Sequence, residues 1–231
     1  MNKTFKRVAL MSAASSTLVV GSLASGTVLA EHSYSANVGV TSNYIFRGVT
    51  ESGDDAAVFG GLDYEHISGF YLGTWVSSLG GDEELGHEVD VYGGFTFDVE
   101  GFGVDIGYTY FGFPQADSDL DADFGEIHAE VGYGPVYAGV FYVIHADDSA
   151  FEDTISYELG GEVPIAGNLS AGAQVGFVDF DDSAEEDYLW WSLSLNKATD
   201  MGDFSFAYVQ NDLSALNDDD PRFYVTYEIG F

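Results

Sequence analysis

The chain contains no cysteine. That excludes a disulfide framework, and with it a lipidated N-terminal cysteine. Basic residues are also scarce: six Lys and Arg stand against 39 Asp and Glu, for a formal net charge of −33. Such a chain offers no basic patch to nucleic acid. It would adhere to an anionic surface only where divalent cations bridge the two. No stretch beyond the N-terminal region approaches 18 apolar residues in a row, so no transmembrane helix is expected. Helical periodicity is missing as well, and 29 glycines weigh against long helices. None of these absences excludes a membrane. A spanning β-strand needs only about 9–11 residues of half-apolar alternation.

What is present points to export and to strands. Lys3, Lys6 and Arg7 precede an apolar, small-residue stretch that ends at Val28-Leu29-Ala30. This is the layout of a secretory signal peptide over residues 1–30, cut before Glu31. A retained anchor helix is the alternative, but serine and glycine dilute its apolar core. After cleavage, Arg47, Lys197 and Arg222 are the only basic residues against the 39 acids. Aromatics make up 16% of the chain, which weighs against acidic disorder. Length favours a single domain over residues 31–231.

The last residues alternate strictly. Phe223, Val225, Tyr227, Ile229 and Phe231 share one face; Tyr224, Thr226, Glu228 and Gly230 share the other. A half-buried strand of a soluble sandwich would show the same pattern. Ending on a C-terminal phenylalanine, the stretch looks like the assembly signal of bacterial outer-membrane barrels. The connections discriminate between the two. About twelve alternating segments follow one another, and long acidic loops take turns with short, weakly charged turns. Longer extracellular loops and short periplasmic turns give a spanning barrel this asymmetry. A sandwich has no reason to place its charge on every second connection. The expected fold is all-β: a transmembrane antiparallel up-and-down β-barrel of about 12 strands after a cleaved signal peptide.

The first strand is expected over residues 33–48, with Tyr34, Ala36, Val38, Val40, Tyr44 and Phe46 facing lipid. The third, near residues 70–79, has aromatics on both faces and is ambiguous. On this alternation Arg47 and Arg222 point inward near the extracellular ends of the first and last strands, close to each other. The inward acids are Asp63, Asp90, Asp105, Glu126, Glu130, Glu158, Glu162 and Glu228, with His128 between Glu126 and Glu130. Rings of acidic side chains favour cations. The alternative is a lumen filled by an internal ion-pair network. The five histidines are scattered and no Ser-His-Asp spacing is visible, so no catalytic residue, cofactor or resident metal is expected. Asp119, Asp121 and Asp123, with Glu130 in twelfth place, half match a calcium loop. Phe124 breaks it where glycine is required. The acidic loops remain candidates for divalent cations, and suit salt-rich surroundings.

The segment Thr41-Ser42-Asn43-Tyr44-Ile45-Phe46-Arg47-Gly48-Val49-Thr50 resembles the TorF family of porins, the Gcw_chp family of proteobacterial outer-membrane proteins. Gly60-Gly61-Leu62-Asp63-Tyr64, the stretch from Ser68 to Trp75, Glu88 to Gly94 and Tyr108 to Pro114 continue the likeness. Thr50-Glu51 departs from the Ser-Gln that often follows Arg-Gly in that family. The resemblance implies a barrel in the bacterial outer membrane and says little about substrate. The expected function is passive diffusion of small hydrophilic solutes, with a preference for cations. A plugged structural or adhesive barrel working through its acidic loops is the alternative, and a membrane-embedded hydrolase the third. Expected partners are outer-membrane lipid and lipopolysaccharide, the barrel-assembly machinery, and small hydrophilic or cationic solutes.

Overall fold

The computed structural model describes residues 31–79, 86–114, 122–213 and 219–231. The expected signal peptide, and Asp119 and Asp121 of the half-matching calcium loop, lie outside the described residues. The strands are β1 (His32–Thr41), β2 (Ile45–Phe46), β3 (Val49–Thr50), β4 (Ala57–His66), β5 (Phe70–Ser78), β6 (His87–Val99) and β7 (Phe102–Gly112). They continue with β8 (Phe124–Tyr133), β9 (Val136–Ala146), β10 (Ile155–Ala166), β11 (Leu169–Asp179), β12 (Tyr188–Thr199), β13 (Gly202–Asn211) and β14 (Arg222–Gly230).

Twelve of these, β1 and β4 to β14, form a closed barrel in which each strand pairs antiparallel with its sequence neighbour. β1 and β14 close the ring, in register from Asn37 opposite Gly230 to Thr41 opposite Thr226. At the end of this seam Ala36 and Phe231 exchange both backbone hydrogen bonds, at 3.2 and 2.8 Å. Closure leaves no unpaired edge, the condition for a sheet to cross hydrocarbon. The C-terminal alternation thus supplies the last staves of the wall.

The outer surface carries the apolar members of each alternation. Val38, Val40, Leu62, Leu72, Ile106, Leu159 and Leu193 are all exposed. Aromatic pairs gather near both rims: Phe70 with Phe95 and Phe102 with Tyr133 toward the short turns, Tyr208 with Phe223 toward the loops. This is the apolar band with aromatic girdles of a transmembrane barrel. β5 resolves its ambiguity: Leu72 and Val76 face out, and Tyr71 and Trp75 are half-buried on the other face.

The first strand is shorter than its alternation suggests. β1 stops at Thr41, after ten residues. The Thr41 hydroxyl donates to the Asn43 carbonyl at 2.7 Å, and the chain leaves the wall. Tyr44 and Phe46 are buried rather than lipid-facing, and Arg47 lies on no barrel strand. The apolar period ran on because this stretch packs its apolar side chains inside the barrel.

Candidate functional site: a hairpin folded into an acidic lumen

Residues 42–56 connect β1 to β4 on the loop side and fold inward. Their centre is the two-residue hairpin β2–β3, paired Ile45 to Thr50 and Phe46 to Val49. Its turn, Arg47-Gly48, has φ of +43° and +86°. Positive φ at both central residues is the type I′ geometry whose twist matches a two-residue hairpin. Glu100-Gly101, between β6 and β7, turns the same way at the opposite end of the barrel, with φ of +52° and +89°. For an arginine this backbone is strained, so surrounding contacts must hold it.

Those contacts reach around the wall. The Arg47 guanidinium makes a two-pronged bond to Glu126 on β8, Nη1 to Oε2 at 2.7 Å and Nη2 to Oε1 at 2.9 Å. Its Nε donates to Glu158 on β10 at 3.1 Å. The Phe46 and Phe141 rings lie 4.5 and 4.6 Å from the guanidinium carbon. Charge-assisted, forked bonds of this kind are among the strongest a side chain makes. β9, which carries Phe141, stands six strands from β1 in a ring of twelve. The hairpin therefore crosses the lumen to the opposite wall.

Its flanks are held too. Asn211 on β13 donates to the Gly48 carbonyl at 2.8 Å. A side chain at Gly48 would collide with Cβ of Trp190 on β12. The Tyr44 ring lies 5.3 Å from that of Trp75 on β5, and its hydroxyl approaches both Glu88 oxygens on β6 at 3.3 and 3.4 Å. Phe46 and Val49 join Phe111, Phe124, Val143, Val178, Tyr188 and Trp190 in one apolar cluster. Ser52, Glu88, Asp90 and Val178 have no accessible surface, so the loop-side half of the lumen is closely packed at their level.

A polar network ties the base of the loop. Asn43 accepts from Thr50 at 2.7 Å and donates to Asp54 at 2.8 Å, while the Ser52 hydroxyl accepts the Tyr44 N–H at 2.9 Å. Arg222 meets this base: its Nε donates to Asp54 Oδ1 at 2.6 Å. The Arg222 hydrogen bond, aided by Asn43, holds the Asp54 carboxyl below its ordinary range against the opposing effect of burial. A lowered carboxyl pKa stabilises the fold above the unfolded value, near 4, and that stability is lost as pH falls through the folded value. Asp54 is largely exposed, at 58% of its side chain, so solvent screening limits the pair to under about 1 kcal/mol. Asp54→Asn should lower the thermal midpoint slightly at pH 7. The difference from wild type should shrink in thermal melts as pH is taken progressively below 4.

The two arginines thus do not share a site. Arg47 sits on the far wall and Arg222 at the root of the loop. The candidate acids fall in separate groups. Glu126 and Glu158 hold Arg47, and Glu158 also accepts from Gln174 at 2.7 Å. Asp63 accepts from Tyr92 and Asp105 from Tyr71. His128 Nε2 lies 3.7 Å from Asp105, and Glu130 is buried two residues along. Asp90 is buried beside Glu88. Glu228 accepts from Asn37 at 3.1 Å, and Glu162 bonds Ser170 and Asn196 toward the turn side. Asp123 is engaged by Tyr110 and by the Phe113 N–H, and Glu130 lies on β8, so neither is arranged as part of a calcium loop. Sequence reasoning overlooked Glu88, Tyr44, Phe46, Trp190 and Asn211 as partners of the hairpin.

A closed barrel with an apolar outer band, and with its first loop folded into the lumen, has the architecture of a transmembrane β-barrel. The chain belongs to the family described as "Bacterial protein of unknown function (Gcw_chp)", whose model matches residues 26–226. That match carries the Gcw_chp description and not the TorF name. No curated protein matches the sequence. Among solved structures the fold is similar to the KdgM porin, with a TM-score of 0.55 at 8% identity, covering 85% of this chain and 98% of that one. It is also similar to the NanC porin, with a TM-score of 0.51 at 11% identity, covering 86% and 98%. A KdgM porin in complex with disordered oligogalacturonate gives 0.51 at 7%, covering 86% and 96%. At these identities the likeness concerns the fold.

Proposed function

We propose that this protein is an outer-membrane channel for small hydrophilic solutes, gated by the hairpin of residues 42–56. The observation that carries the reading is the forked bond of Arg47, which joins a loop rooted on β1 to the opposite wall. A plug meant only to fill space needs no charged fastening, since a well-packed apolar side chain is often as stable there. A fastening that crosses the lumen acts as a latch. With the hairpin withdrawn, the wall would present Asp63, Asp105, Glu126, Glu130 and Glu158 to the passage. That lining supports a preference for cations over anions. The exported chain would reach the membrane through its signal peptide, with Phe223, Val225, Tyr227, Ile229 and Phe231 as the C-terminal signal read by the assembly machinery.

The close packing of the loop-side lumen favours a second reading, a permanently plugged barrel that works through its acidic loops. Planar-bilayer recording of the refolded residues 31–231 under a salt gradient separates the two. Brief discrete openings, with a reversal potential on the cation side, are expected of the gated channel. A bilayer that stays silent in wild type and in Arg47 variants, with insertion demonstrated, would establish the plug instead.

A further inference from the structure

We propose that Asp105, His128 and Glu130 form a binding site for a divalent first-row transition metal in the lumen wall. The three come from two adjacent strands. Asp105 on β7 stands directly opposite Glu130 on β8, and His128 lies two residues from Glu130 on the same face. One ligand atom from each lies within 4.8 Å of the other two. Donors on one zinc ion, bound at about 2.0–2.2 Å, sit about 3–3.5 Å apart. Closing that gap takes a shift of about 1–2 Å, within reach of side-chain rotation on a fixed sheet.

Two carboxylates and an imidazole, set side by side on the inner face of adjacent strands, make a donor set that one cation can share. The surroundings shape the group as well. The Tyr71 hydroxyl donates to Asp105 Oδ1 at 2.9 Å and lies 3.4 Å from His128 Nε2, and the Phe141 ring flanks the imidazole at 5.8 Å. Two glycines keep the space open. A Cβ at Gly107 would come within 2.6 Å of His128 Cε1, and one at Gly139 within 3.0 Å of Glu130 Cγ. One imidazole nitrogen with two carboxylates suits Zn²⁺ and its first-row neighbours. Ca²⁺ asks for six to eight oxygens and is served poorly. The metal site does not depend on the barrel being an open channel.

The test uses zinc and the folded mature chain. Glu31, His32 and His66 form a second, exposed group at the turn-side rim, so His32→Ala and His66→Ala are built in first. Equilibrium dialysis with elemental analysis should then find one Zn²⁺ per barrel at pH 7.5, undisturbed by millimolar Ca²⁺. His128→Gln and Asp105→Asn should each weaken retention at least tenfold, while Asp203→Asn, at the rim, leaves it unchanged. Retention should fall as pH is lowered, because protons compete with the metal for imidazole and carboxylates. Co²⁺ in the same site should give visible absorption that His128→Gln abolishes. Absence of zinc from the rim variant, or retention indifferent to both His128→Gln and Asp105→Asn, would overturn the assignment.

Discussion

Arg47→Met is expected to turn brief, rare openings into long-lived ones and to lower the thermal midpoint of the barrel. Arg47 and Glu126 are almost wholly removed from water, each with 4% of its side chain accessible, and Glu158 keeps 10%. Removing one partner of a buried ion pair typically costs about 3–5 kcal/mol, because the remaining charge is left without compensation. Here two carboxylates lose the same cation. Withdrawal of the hairpin lets water reach both, so the penalty falls on the closed state alone. At about 1.4 kcal/mol per factor of ten, the ratio of closed to open should drop by roughly two to three orders of magnitude. Single-channel recording reads this directly as open probability. A control isolates the cause. Arg47→Met combined with Glu126→Gln and Glu158→Gln removes the stranded charge, and neutral replacements of a buried pair are often harmless. That triple variant should regain both thermal stability and low open probability. If it remains open, the latch acts by shape and not by charge.

The wall of this barrel was legible from the sequence and the latch was not, for physical reasons. Side chains of a strand alternate with a period of two whatever lies on the other side of the sheet. The lipid-facing residues and the alternation of loops with turns could therefore be read without coordinates. The face of Glu126 and Glu158 was readable in the same way; Arg47 lies on no barrel strand, so alternation could not place it. The pairing of these three was hidden, because β1 and β9 are brought face to face only by closure of the ring. The hairpin was hidden by its turn. Two-residue hairpins are signalled by Asn-Gly or Asp-Gly, and an Arg-Gly turn between apolar residues looks like continuing strand. Length was the available clue: a strand over residues 33–48 is half again what a spanning strand of about 9–11 residues needs. The most specific part of the family resemblance, Thr41 to Trp75, starts at the end of β1 and takes in this hairpin.

Gly48→Val should open the barrel with Arg47 intact. Gly48 holds φ of +86°, a backbone that β-branched residues scarcely adopt. Its missing side chain also leaves room for Trp190, whose Cβ and Cγ a Gly48 Cβ would strike, with Asn211 Cβ at 3.4 Å behind. Trp190 is buried on a barrel strand and cannot retreat without disturbing the wall. The hairpin is the element free to yield. Distorting the tip misaligns the Arg47 fork one residue away and breaks the Asn211 bond to the Gly48 carbonyl, so packing and charge pairing in the closed state fail together. The two substitutions then act on one equilibrium. If each already releases the hairpin, the Arg47→Met/Gly48→Val double variant should conduct no more than the more open single variant. Its thermal midpoint should fall by much less than the sum of the two separate decreases, because a hairpin already released by one substitution has nothing left for the other to release. Strict additivity in both readouts would mean that Arg47 and Gly48 hold different parts of the barrel, and the hairpin would not be one gate.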